Sequence, residues 1–216
     1  MQEATAKERL LKKIRKALLL KRDNPYPNLE EVPLYKESDE VIEILFAQNF
    51  TAVAGNFVFC EDEIQLIESL LAITEKEGLR KIYAWEKEIQ KILDRYEFPY
   101  FRGDTEFQKA EMGITKCEAL IARSGSIMVS NGDLAGRRLS IYPHVHVVIA
   151  YTSQLVMDLK DGFELIKQRY NQELPTMIST ITGPSRTADI EKTLVLGAHG
   201  PKQLYLLLVD DTFESV

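Results

Sequence analysis

A few residues set among glycines and prolines are the ones able to do chemistry in this chain. The longest such segment is Gly183-Pro184-Ser185-Arg186-Thr187-Ala188-Asp189-Ile190-Glu191, which follows the strand-like run Met177–Thr182. That order predicts a core strand, a tight turn at Gly183, and a helix start capped by Ser185 or Thr187. Free N–H groups at a helix start, together with Arg186, favour an anion such as a carboxylate or phosphate. An ordinary strand-to-helix turn with an Arg186–Asp189 ion pair fits the same residues. Ligands of open α/β sheets bind beyond the carboxyl ends of strands, so a site is expected there.

Gly197-Ala198-His199-Gly200-Pro201 brackets a histidine in a turn ahead of the apolar run Leu204–Val209. His199 is the candidate acid or base, unless its ring only bonds a nearby carbonyl. Arg186 and His199, thirteen positions apart, are expected to share one anion-binding cleft. His144 and His146 lie two apart and would share one face of a strand. They lack a visible second ligand pair, so one buried, hydrogen-bonded ring fits better than zinc, and no metal is expected. Ser124-Gly125-Ser126 forms another turn, with Gly125 and Ser126 as candidate ligand contacts. Asn131–Arg138 reads as a hairpin tip with a basic pair. P-loop, nucleophile-elbow and dinucleotide motifs are absent.

The elements that must position these residues alternate. Thr5–Leu20 is an amphipathic helix with Leu10, Ile14, Ala17 and Leu18 in one stripe, and the proline-containing linker Arg22–Pro33 follows. Beyond it, helix is expected over Asp39–Gln48, Asp62–Glu77 (ending at Gly78), Glu86–Tyr96 and from Asp158 to Tyr170. Strands are expected over Thr51–Cys60, Lys81–Trp85, Ala119–Ala122, Ser126–Ser130, Val145–Tyr151, Met177–Thr182 and Leu204–Val209, the last an interior strand. Such alternation predicts an α/β domain with a largely parallel sheet.

The 216 residues suit one large α/β domain, and 45% hydrophobic with 28% charged residues is a globular composition. The net charge of −6 is uneven: the first 22 residues carry +6 and the remainder −12. A basic, aromatic-poor helix on an acidic body reads as a solvated face rather than a membrane or nucleic-acid binder. Cys60 and Cys117 stand 57 positions apart, so they frame neither a disulfide scaffold nor an iron–sulfur cluster. A cytoplasmic protein without a spanning segment is expected.

The segments Gly183–Glu191 and Leu194–Pro201 together resemble the closing motif of the LUD (lactate utilisation) family. Ile114-Thr115, Ile121–Ser126 and Pro143-His144-Val145-His146 look like its other landmarks, in order. The resemblance covers residues 113–209 well. It implies a ribose-phosphate isomerase/CoA-transferase-like (NagB-like) three-layer fold, here as an N-terminal helical arm and linker (1–36) and an α/β domain (37–216). It also implies a part in oxidising L-lactate to pyruvate beside iron–sulfur subunits. This chain resembles the short, cluster-free member, with no cofactor of its own. The ligand-contact set under this reading is Gly125, Ser126, His146, Gly183, Ser185, Arg186, Thr187 and Asp189, with His199 catalytic and a small carboxylate or phosphate as ligand. Arg123 departs from the family, which usually has an acid there, so that carboxylate's role does not carry over. Two further readings fit the residues: a free-standing enzyme on an acyl or sugar-phosphate substrate, and a purely structural interaction subunit.

Overall fold

The fold comes from a computed structural model, which describes residues 5–19, 35, 39–132, 138–188 and 193–211. Its chain divides into two units, Met1–Asp39 and Glu40–Val216. In the first, helix α1 spans Ala6–Leu19. Thr5 and Glu8 exchange capping bonds at its start: the Thr5 N–H donates to the Glu8 carboxylate at 2.8 Å, and the Glu8 N–H donates to Thr5 Oγ1 at 3.3 Å.

The second unit is built on a five-stranded parallel sheet. Its strands are β1 (Asn56–Cys60), β2 (Ile82–Ala84), β3 (Met112–Thr115), β6 (Val145–Tyr151) and β11 (Gln203–Val209). They lie in the order β1-β11-β6-β3-β2. The interior position expected for Leu204–Val209 is observed, with β11 between β1 and β6. An apolar run needs cover on both faces, and this sheet supplies it. On one face Val147, Ile149, Tyr205 and Leu207 meet Leu66 and Leu70 of α3 (Glu63–Glu77) and Ile89 and Leu93 of α4 (Lys87–Arg95). On the other, Val148, Leu204, Leu206 and Leu208 meet Phe46 and Phe50 of α2 (Ile42–Ala52) and Leu120, Ile127 and Val129 of a second sheet.

That second sheet holds β4 (Ala119–Ile121), β5 (Ser126–Ser130), β7 (Leu155–Val156) and β8 (Ile178–Ile181), in the order β7-β4-β5-β8. Its far side carries α5 (Leu159–Arg169), with Ile166 against Ile121 and Met128. The strands on either side of Asn131–Arg138, β5 and β6, belong to different sheets, and most of that segment, expected as a hairpin tip, lies outside the described residues.

Helix ends follow the sequence chemistry. Asp62 accepts the Gln65 N–H at 2.8 Å, and Gly78 closes α3 at φ 67. The strand expected from Thr51 starts later, because α2 runs on to Ala52. The chain then turns through Ala54 at φ 67, and the Gly55 N–H reaches the Phe50 carbonyl at 2.9 Å.

Candidate ligand site

The Gly183 turn does not open a helix at Ser185. Arg186–Thr187 form strand β9, which pairs antiparallel with β10 (Val195–Leu196). The end of the motif, Asp189-Ile190-Glu191, lies outside the described residues. The two glycine–proline segments are tied directly: the Ser185 N–H donates to the Pro201 carbonyl at 2.9 Å, and the Gly197 N–H donates to the Ser185 carbonyl at 2.9 Å. Backbone pairing thus brings the two together.

Beside this junction is a cavity of about 270 Å³. Its rim carries Thr182, Ser185 and His199, with Ile141 on an adjoining loop, while Val129, His146 and Leu204 form buried wall. Roughly 300–1,000 Å³ is usual for drug-sized ligands, so this volume suits something smaller. The cavity runs along β8, from Met177 to Thr182, and lies at the amino ends of β6 and β11. For the main sheet this is the end opposite to the expected one.

His146 is the polar residue most deeply set in the wall. Its ring is 0% exposed, and its Nε2 lies 2.8 Å from Thr115 Oγ1. Burial pushes its pKa down to about 3, so the ring is neutral at physiological pH. Nδ1 has no hydrogen-bond partner among the described residues. His144 is different: it precedes β6 and is exposed, so the two histidines do not act as one pair.

Arg186 does not share the cleft with His199. Its Nη2 donates to the Val53 carbonyl at 2.8 Å, at the carboxyl end of α2, and it is not part of the cavity wall. A guanidinium there answers the unpaired carbonyls and the negative end of the helix dipole. Gly183 belongs to the same contact, since a Cβ at its φ of 75 would lie 2.1 Å from the Val53 oxygen. Thr187 pairs through its backbone with Val195 and is also outside the wall.

Gly125 and Ser126 act one step away from the cavity. A Cβ on Gly125 would meet the Asn49 and Phe50 backbone at 2.3 Å, so this turn lies directly on α2. Asn49 Nδ2 holds it by donating to the Ala122 carbonyl at 2.8 Å. The Ser126 hydroxyl is 2.8 Å from that of Ser124 and 2.8 Å from that of Thr182, which lines the cavity. Arg123 is held by Asp158, which caps α5: Nε lies 2.5 Å and Nη2 3.1 Å from its two oxygens. Arg123 therefore ties the second sheet to α5 and does not line the cavity.

Sequence reasoning missed two buried carboxylates. Glu118 accepts from Ser130, Arg169 (2.6 Å) and Tyr170 (2.8 Å), and Glu86 accepts the Lys116 N–H at 2.7 Å. Neither carries a motif, and only the fold gathers their partners. Cys60 and Cys117 are both buried, in different cores, and burial raises the pKa of each thiol. Cluster ligation needs grouped thiolates, and these two thiols do not fit it.

A mixed α/β domain with a parallel main sheet, a second sheet on one of its faces, and a small cavity between them defines the class. None of its described helices is long and apolar enough to cross a membrane. The LUD domain matches residues 44–209, most of the chain, and the protein belongs to that family. Among its relatives, lactate utilization protein C 1 of Bacillus mycoides is 36% identical over 111 residues, 50% of this chain and 47% of that one. Lactate utilization protein C of Bacillus subtilis is 32% identical over 63% of this chain and 59% of its own length. The protein of that name from Shouchella clausii is 28% identical over 86% of this chain and 88% of its own. The chain spans about half the length of the first curated relatives it matches. The crystal structure of a DUF162 family protein from Deinococcus radiodurans shares the fold, with a TM-score of 0.58 at 18% identity over 78% of this chain and 96% of that one.

Proposed function

We propose that this chain is the cluster-free subunit of a lactate-oxidising system and that its cavity holds a small carboxylic acid. In this reading L-lactate becomes pyruvate, its two protons go to solvent and its two electrons pass to iron–sulfur partner subunits, since Cys60 and Cys117 are buried in separate cores and could not share a cluster. The relatives' names support lactate utilisation. One observation supports the cavity as the site: Gly183–Ser185, His199–Pro201 and His146, separated in sequence, border the same small space. The Ser185 and Thr182 hydroxyls and the His199 ring are the groups for the carboxylate, and the arginine clamp expected from the sequence is not among them.

Deletion of the gene in its source organism tests this reading. The expected outcome is loss of growth on L-lactate as sole carbon source, restored by the intact chain but not by Ser185→Phe, which fills the cavity. Unimpaired growth of the deletion strain on L-lactate would contradict it.

A further inference from the structure

The main sheet has a second place where a ligand fits, at the end its topology favours. Chain leaving β2 turns into α4 on one face of the sheet, whereas chain leaving the neighbouring β3 turns into β4 on the other face. Loops that part to opposite faces leave a crevice outside the carboxyl ends of the strands, and open α/β sheets bind ligands there. A crevice of about 440 Å³ lies at this point, within the range usual for small-molecule sites. Glu88 borders it from α4, Lys116 from the end of β3, Tyr151 from the end of β6, and Arg169 and Tyr170 from the end of α5. The length of β6 separates it from the cavity beside Ser185.

Its walls are tied together. The Glu86 carboxylate, after β2, accepts the Lys116 N–H at 2.7 Å, and the Gln154 side chain, after β6, donates to the Cys117 carbonyl at 2.7 Å. Three loops are thereby fixed around the opening, and a site built in advance costs little to order on binding. The Lys116 side chain is 21% exposed and pairs with Glu88, which is 68% exposed. A pair with one partner in open solvent is weakly held, so Glu88 can swing away at small cost. Arg169 gives one N–H to Glu118, which is buried and does not line the crevice, and a guanidinium has five such donors.

We propose that this crevice is a second binding site and takes a nucleoside monophosphate, whose phosphate replaces the Glu88 carboxylate on Lys116 while its base lies against the tyrosines. A phosphate monoester carries about two negative charges at pH 7, so it outcompetes a single carboxylate for Lys116. Its further oxygens accept from Arg169. The crevice holds more than a phosphate ion, and the rings of Tyr151 and Tyr170 supply flat apolar surface for a planar base. Glu88 is then the competitor that sets the affinity.

Titration calorimetry on the full chain with AMP, GMP, CMP and UMP tests this, with ribose 5-phosphate and inorganic phosphate as controls. At least one nucleotide is expected to bind saturably, and both controls at least about tenfold more weakly. Glu88→Gln, which removes the competing charge, should tighten nucleotide binding about threefold. Lys116→Met should weaken it at least about tenfold. Glu88 lies at the surface, so its variant keeps the test decisive if Lys116→Met folds poorly. Nucleotide binding by neither the wild type nor Glu88→Gln, binding that both substitutions leave unchanged, or ribose 5-phosphate binding as tightly as the nucleotides would each overturn the inference.

Discussion

Burial of His146 has a consequence for stability. An unfolded histidine titrates near 6.5, whereas this ring is held down to about 3. Between those values the unfolded chain binds the proton and the native chain does not, so native stability is lost as pH falls. The slope from this group is at most about 1.4 kcal/mol per pH unit, and it vanishes above about pH 6.5. Denaturant titrations at pH 7.5, 6 and 5 should show this loss, and the non-titrating His146→Gln variant should show a shallower one. Arg186 carries a different expectation. Its guanidinium caps α2, so Arg186→Ala should cost roughly 1 kcal/mol in stability and leave small-acid affinity unchanged. Calorimetry beside thermal melts separates the two effects. Residue type alone made Arg186 an anion clamp. Its real partner, the Val53 carbonyl, lies 133 positions away, and no local pattern points to it.

Among elements, the end of α2 is the organiser. Asn49 and Phe50 receive the Gly125 turn, and Val53 receives Gly183 and Arg186. A side chain at Gly183 needs both a strained backbone and space that the Val53 oxygen occupies. Gly183→Ala should therefore cost roughly 2 kcal/mol or more. Gly78 has the same sign of φ but nothing within 4 Å, so Gly78→Ala should cost only about 1 kcal/mol. Thermal or urea denaturation of the pair reads the difference directly. Long helices and buried strands were legible because their periodicity is local: α3 with its Asp62 and Gly78 ends, and β11 with its apolar run. Strand β3 was not, since it is four residues long and contains Gly113, where a Cβ would lie 2.5 Å from the Leu139 carbonyl. A helix start at Ser185 is excluded because Arg186–Thr187 found a strand partner in Val195–Leu196, while the residues that a Thr187 cap would lead into lie outside the described ones.

Across the whole molecule, one sheet face is packed by helices and the other by α2 with a second sheet. Alternation in the sequence shows that Ala119–Ile121, Ser126–Ser130 and Ile178–Ile181 are strands, but not which sheet they join. Their pairings are set by contacts distant in sequence, and the cavity lies where that second sheet, through Val129 and β8, meets the starts of β6 and β11. The candidate residues were therefore legible one by one, and their grouping was not: Ser185, His199 and His146 converge, while Arg186, Thr187, Gly125 and Ser126 stand outside the wall. The most direct measurement is titration of L-lactate into the intact protein and into Ser185→Phe, with circular dichroism as the check on folding. The expected result is saturable binding to the wild type that the blocking side chain weakens by about a hundredfold or more. Equal binding by both proteins, or none by the wild type, would contradict the assignment of the cavity.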